Sequence, residues 1–234
     1  MNYEDSRFSL TGNTLKMIGL LSMTVDHVGL ILLDNAGICR IIGRLAFPIF
    51  ACMVAEGCLH TRNRLRYFLQ LALLALICQT PYYVADGSLY MCVMVTFTLS
   101  VPAVYLLHDL RQRFSGVTLA VFVLYIALIW IVTELVPARV KDVSDFAVDY
   151  GFWGVMLPVF ASVYPEDRQK NICFIALGLI MLCLSIGGLE YWALPALVLL
   201  LMYNGQRGKA RLKYLFYFYY PLHLAAIHGL AQIL

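Results

Sequence analysis

The chain has 234 residues, 62% hydrophobic and 13% charged, with a mean hydropathy of +0.78. Ordinary soluble domains are about half apolar and one-quarter charged, so the composition excludes such a domain and points to an integral membrane protein. A net charge of +3 is too small to argue for nucleic acid, and the seven cysteines, mostly inside apolar runs without CxxC or zinc-ligand spacing, read as reduced packing residues.

The N-terminal stretch MNYEDSRFSLTGNT is polar and opens no short apolar core with a cleavage site, so a removable signal peptide is not expected. A helical span takes about 20 mostly apolar residues. That criterion marks nine, at roughly 14–34, 39–60, 65–85, 89–108, 116–137, 147–164, 171–187, 189–204 and 213–232. Asp149 and Pro158 interrupt the sixth, and Gly187-Gly188 closes the seventh early. No repeat of 20–50 residues and no low-complexity tract is present.

The connections fix an orientation. Arg62, Arg64 and Arg66 follow the second span, Arg111 and Arg113 the fourth, Arg168 and Lys170 the sixth, and Arg207, Lys209, Arg211 and Lys213 the eighth. The alternate connections are short or acidic-leaning, so the positive-inside rule sets every even-numbered connection in the cytoplasm. The expected fold is therefore all-α: one integral-membrane domain over residues 1–234, a polytopic transmembrane helical bundle of about nine spans, N-terminus cytoplasmic and C-terminus outside.

Polar groups within spans are costly and mark functional sites by default. In chain order, Asp26 and His27 stand together near the middle of the first span, inside MTVDHVGLIL. Arg40 and Arg44, in CRIIGRLAFPIF, are one helical turn apart and share a face in the outer half of the second. Gln79, Asp149, Glu190, His223 and His228 also fall at mid-depth or in the outer half, and Glu56 lies in the inner half. The pattern implies a polar cavity open, or nearly open, to the outside. Structural alternatives stand beside this: Arg40 is close enough to a helix end to snorkel, Arg44 suits a pair with Asp26 or Asp149, and His228, His60 and His108 suit packing or interfacial places. Adjacent helical residues diverge by about 100°, so Asp26 is poorly placed to orient His27 and is expected to pair with an arginine of the second span. Another group must then orient the imidazole. The basic loop EGCLHTRNRLRYF serves equally as a topology signal or as a dock for nucleotide phosphates. In YLFYFYYPLHL, Pro221 removes one backbone hydrogen bond just before His223, and freed backbone at depth usually lines a cavity.

The blocks LKMIGLLSMTVDHVG, RIIGRLAFPIFACMVAEGCLHTRNRLRY, DYGFWGVMLPV and KYLFYFYYPLHL, running in order from about Leu15 to Leu224, resemble the TraX family, named for a membrane protein linked to N-terminal acetylation of F pilin. That family is distantly similar to the membrane acyltransferases that include the acyltransferase-three proteins and heparan-α-glucosaminide N-acetyltransferase, which move acyl groups from a cytoplasmic thioester to an acceptor and rely on a histidine in the bundle. The resemblance implies a bacterial inner-membrane acetyltransferase using acetyl-CoA. It carries the DH pair onto Asp26 and His27, and the RxxxRxxFPxF block onto Arg40, Arg44, Phe47, Pro48 and Phe50. It carries ExxxHTRNR onto Glu56, His60, Thr61, Arg62, Asn63 and Arg64, DYG onto Asp149, Tyr150 and Gly151, and YPLH onto Tyr220, Pro221 and His223.

A mechanism combining both readings has the acetyl-CoA phosphates met by Arg62, Arg64 and Arg66, with Glu56 and His60 along the donor's path. His27 acts as general base or acyl carrier, with Asp26 beside it and His223 as a second acid/base. Arg40 or Arg44 stabilises the oxyanion or holds an acceptor carboxylate, and Asp149, Tyr150 and Tyr220 belong to the acceptor side. The acceptor is a peptide N-terminus, a sugar or a lipid; no metal is called for. A proton- or anion-coupled transporter is the rival reading, since buried arginines and carboxylates suit a carrier too, but the chain shows no convincing inverted repeat. No GxSG, HExxH or EExxR-type element points to another membrane enzyme.

Overall fold

The computed structural model describes residues 9–209 and 213–233. Arg211 and the N-terminal residues through Phe8 lie outside them. The helices are α1 (Gly12–Ile31), α2 (Gly37–Gly43), α3 (Ala46–His60), α4 (Arg64–Asp86), α5 (Val93–Gln112), α6 (Gly116–Trp130), α7 (Val136–Val140), α8 (Gly151–Phe160), α9 (Arg168–Ile186), α10 (Ala196–Leu201) and α11 (Lys213–Ala231). A π-helical turn, Ile131–Leu135, joins α6 to α7, and a 3-10 turn, Gly188–Ala193, precedes α10. The described residues are helical apart from turns and two isolated backbone bridges.

Five segments are long and apolar enough to cross a membrane: Gly12–Ile31, Gly37–His60, Val93–Gln112, Gly116–Val140 and Arg168–Ile186. They coincide with the first, second, fourth, fifth and seventh expected spans. The third and ninth correspond to α4 and α11, 23 and 19 residues long, which are not among those five. The sixth and eighth differ from expectation. At 1.5 Å per residue the ten residues of α8 extend only about 15 Å, half the thickness of the hydrocarbon layer. Left-handed backbone at Tyr150 and Gly151 starts α8 late, and positive φ at Gly187 and Gly188 delays α10 behind the 3-10 turn. Apolar composition alone did not reveal these breaks.

The chain forms two compact units, residues 1–53 with 183–234, and residues 54–182. In the first, α1 packs on α2 and α11, and α2 on the 3-10 turn. Leu15, Leu20, Ile49, Ala193, Ala196 and Leu224 are among its buried apolar residues. The start of α1 is tied to the segment after α10: Leu10 N–H donates to Met202 O (2.8 Å), Asn204 N–H to Leu10 O (2.9 Å) and Gly12 N–H to Gln206 O (2.8 Å). The second expected span is broken at Arg44-Leu45, where i→i−3 bonds replace helical ones. Pro48 supplies the cause, since it has no N–H for the Arg44 carbonyl.

In the second unit α5 packs against α4, α6 and α8 around Phe97, Val101, Val104, Val155 and Leu157. Val117, Leu124 and Leu128 form an exposed apolar stripe on α6, as Leu69, Leu73 and Leu76 do on α4. Such stripes suit contact with lipid. Tyr150 gives α8 no side-chain cap; instead Glu134, in the π-helical turn, accepts the Phe152 N–H through Oε1 at 2.9 Å. No disulfide joins the cysteines, and Cys52, Cys58, Cys78, Cys92 and Cys183 are buried.

The α1–α2 hairpin depends on two glycines. A Cβ at Gly43 would stand 2.1 Å from Asp26 Oδ1, and one at Gly29 would stand 2.3 Å from Cys39 Cβ. Gly43→Ala is therefore expected to destabilise the protein by about 1–3 kcal/mol, as overpacking does. Gly116→Ala, whose Cβ would meet nothing within 4 Å, serves as the control. Thermal unfolding of both variants in detergent checks this.

Candidate functional site

The first unit gathers a buried charge network. Asp26 on α1 receives Arg40 Nη1 on Oδ2 at 2.5 Å and Arg44 Nη2 on Oδ1 at 3.0 Å. Arg44 turns its other terminal nitrogen, Nη1, to Glu190 Oε2 at 3.1 Å and donates Nε–H to the Arg40 carbonyl at 3.3 Å. The side chains of Asp26, Arg40 and Arg44 are mostly covered, and that of Glu190 is 2% exposed. The local fold explains the convergence. Helical spacing stacks Arg40 below Arg44, the absent side chain of Gly43 lets Asp26 approach, and the Gly187-Gly188 turn brings Glu190 against α2.

The two arginines are used differently. All three guanidinium nitrogens of Arg44 donate within the network. Arg40 commits Nη1 to Asp26, while its Nε and Nη2 make no hydrogen bond among the described residues. Glu190 has the converse feature: its Oε1 is buried with no hydrogen-bond partner among the described residues.

Beside this network lies a histidine pair. His223 Nε2 is 3.0 Å from His27 Nδ1, with ring centroids 5.0 Å apart. His223 Nδ1 is 2.9 Å from the Tyr219 carbonyl, which only accepts, so that nitrogen carries the proton. In the neutral ring Nε2 is then a lone pair, and His27 must donate to it from Nδ1. The tautomer of His27 follows from this hydrogen-bond pattern. Its basic nitrogen is Nε2. His223 is thus the group that orients His27, the position Asp26 does not fill. Tyr219 stacks on His223 (5.3 Å, 14°), and buried Tyr220 meets it edge-on at 5.5 Å. Thr24 gives its hydroxyl proton to Leu20 O at 2.8 Å, so Tyr219 donates its own to Thr24 Oγ1 at 2.7 Å, tying α11 to α1. α11 runs on through Pro221 without a break.

The remaining expected residues lie in the second unit. Asp149 Oδ1 accepts the Tyr90 hydroxyl at 2.8 Å and its carbonyl accepts Thr96 Oγ1 at 2.6 Å, while Tyr150 turns the chain into α8. Nearby, the Ser88 hydroxyl and Leu89 N–H hold the Asp145 carboxyl below the usual carboxylate range. His60 pairs with Glu56 at 3.1 Å, and Arg64 with Asp109 at 2.7 Å under a cation–π contact to Tyr105. Arg62 and Arg66 are exposed. Among the described residues no group of three or more His, Cys, Asp or Glu side chains has metal-holding geometry.

Thr24 and Tyr219 were not singled out in the sequence, and Glu190 stood there only as a costly polar group at depth, with no partner assigned. The Gly-Gly pair before Glu190 was the available signal, because it forecasts irregular backbone where a carboxylate is buried.

The chain is 28% identical over 244 residues to the probable fimbrial assembly protein FimC, serogroup H1, of Dichelobacter nodosus, covering 91% of this chain and 92% of that protein. It is 43% identical over 49 residues to an uncharacterized protein of Rickettsia prowazekii (strain Madrid E), covering 21% of this chain and 16% of the other. No solved structure matches. The family model described as TraX protein matches residues 11–231, and the chain therefore belongs to the TraX family.

Proposed function

We propose that the protein is an inner-membrane acetyltransferase that moves an acetyl group from cytoplasmic acetyl-CoA to an acceptor reached from the outer half of the membrane. Nine membrane-embedded segments with the N-terminus inside complete the reading. The observation that carries it is the His27–His223 pair, a base with a defined tautomer in the same unit as the Asp26–Arg40–Arg44–Glu190 network. The fimbrial name of the long relative supports a pilin-type peptide N-terminus as acceptor.

In this mechanism the acceptor heteroatom attacks the thioester carbonyl carbon while His27 Nε2 takes its proton. His223 Nε2 accepts the His27 Nδ1–H and steadies the imidazolium that forms. The negative charge developing on the carbonyl oxygen is met by the uncommitted N–H groups of Arg40. Collapse of the tetrahedral species breaks the C–S bond, and His27 returns the proton to the sulfur. Arg62 and Arg66, both exposed, are assigned to the phosphates of the donor, since Arg64 is engaged by Asp109. Arg44 holds the network together.

His27→Ala is expected to reduce acetyl-CoA thioester loss by the purified protein by about 10²–10⁴-fold, the usual contribution of a positioned base. Unaltered turnover in that variant would reject the mechanism. Absence of acetyl-CoA binding and of thioester loss in folded wild-type protein would favour a carrier, and liposome flux would then be measured.

The division of labour between the arginines gives a second test. Arg40→Lys keeps a cation on Asp26 but loses the guanidinium fork, so transfer should fall by about 10²-fold with little change in melting temperature. Arg44→Ala leaves two buried carboxylates poorly compensated and should cost about 3–5 kcal/mol of stability. Steady-state rates and melting curves measured on both variants separate the two roles.

A further inference from the structure

The loop between α10 and α11 carries basic residues that the mechanism above does not use. From Tyr203 to Lys213 the chain reads YNGQRGKARLK, four basic residues and no acidic one. Charge count alone would serve topology, but here the backbone is also fixed in place. Gly12 N–H donates to Gln206 O at 2.8 Å, Asn13 N–H to Arg207 O at 3.0 Å, and Gln206 N–H to Asn204 Oδ1 at 2.9 Å. Gly208, at φ +91°, lies so close to Thr11 that a Cβ there would stand 2.9 Å from its Oγ1. Arg207 and Lys209 are exposed on this loop, and neither side chain has an ion pair or a hydrogen bond among the described residues. Arg64, Arg111 and Lys170, in other basic connections, are by contrast paired with Asp109, Glu166 and Asp167. The backbone N–H groups of Arg207, Gly208 and Lys209 also have no acceptor among the described residues. Two uncompensated cations over successive open amides suit a phosphate group.

The loop and the base belong to one unit and are joined by α1. From Asn13 to His27 is a step of 14 residues along this helix, about 21 Å. The arm of a coenzyme A thioester has about 13 bonds between its nearer phosphorus and its sulfur, which at ~1.2 Å per bond of extended chain reach about 16 Å. An arginine side chain spans about 6 Å more by the same count. A donor anchored at the loop by its diphosphate therefore has the length to bring its thioester to the level of His27.

We propose that Arg207 and Lys209 hold the diphosphate of the acyl donor, making the α10–α11 loop the anchor from which a coenzyme A thioester reaches His27. The inference rests on the acyl-transfer reading and adds a donor subsite on the unit that carries the base. Coenzyme A also bears a ribose 3′-phosphate, which this loop leaves to other groups.

The test uses full-length protein in detergent and the double variant Arg207→Gln, Lys209→Gln. Both positions are exposed and lie outside the buried charge network, so the melting temperature should match that of wild type. By titration calorimetry, Kd should rise about 10-fold for coenzyme A and for 3′-dephospho-coenzyme A, the order of two exposed ion contacts. Pantetheine, which has no phosphate, should bind both proteins alike. Equal affinity of coenzyme A for variant and wild type overturns the loop assignment and leaves acyl transfer standing. No binding of coenzyme A by folded wild-type protein overturns both.

A second readout acts on the loop itself. Trypsin should cleave wild-type protein after Arg207 and Lys209, with the sites located by mass spectrometry. Coenzyme A and its 3′-dephospho form should slow that cleavage, and pantetheine should not. Protection by coenzyme A but not by the dephospho form puts the 3′-phosphate at the loop and overturns the diphosphate assignment. Dioctanoylphosphatidylglycerol offers the same phosphate chemistry from a lipid; protection by it and not by coenzyme A makes the loop a headgroup contact and overturns the proposal. Protection by both forms of coenzyme A without any thioester loss keeps the loop as a binding site and rejects the acyltransferase reading.

Discussion

The structure of the first unit turns on a single guanidinium group. Arg44 sits where the second span breaks, and its planar fork joins Asp26 to Glu190. In a medium of low dielectric each of these charges alone would be very unfavourable, and their mutual attraction offsets that only with well-aligned hydrogen bonds. A lysine in the same place would offer one charge centre and no fork. Three elements that share no apolar pattern are thereby held together: α1, the α2–α3 break and the turn after α9. Among the described residues, their arrangement leaves Arg40 with donors to spare and Glu190 with an oxygen to spare.

The histidine pair depends on the same frame but follows a different logic. A carboxylate beside a catalytic histidine stabilises the imidazolium by charge; here the partner is a neutral ring whose own proton is fixed on a backbone carbonyl. Aromatic stacking by Tyr219 and edge contact by Tyr220 hold that ring in orientation, and Thr24 fixes Tyr219 in turn. Asp26, adjacent to His27 in sequence, is thus released to serve the arginines.

Much of the helical layout was legible because a span must be long and apolar, and α1, α5, α6 and α9 announce themselves by length alone. The break at Arg44-Leu45 was written in Pro48, but a proline within a span is equally compatible with a kinked, continuous helix. The shortness of α8 and α10 was hidden because apolar content reports what a segment avoids, not whether it crosses. Depth counting singled out Asp26, Arg40, Arg44, Glu190 and His223 as costly residues, and the α1–α2 pairings follow from separations of 14 and 18 residues. The Arg44–Glu190 and His27–His223 contacts join positions 146 and 196 residues apart, and no local period encodes such meetings. The tautomer of His27 was equally out of reach, since it is decided by the Tyr219 carbonyl.

The threading of the first unit has a consequence for biosynthesis. Its two segments enclose the whole of residues 54–182 in the chain order, so the ribosome delivers His27 long before His223. At about 5–20 residues per second the interval is roughly 10–40 s. During that time Asp26 can find Arg40 and Arg44, its near neighbours in sequence, while the imidazole has no orienting ring and Arg44 waits for Glu190 as its second carboxylate. A nascent chain therefore holds a half-neutralised arginine cluster until Glu190 is made, and a product truncated before α11 has both carboxylates but lacks the histidine pair. Completion of the last helix is what supplies the ring that partners His27.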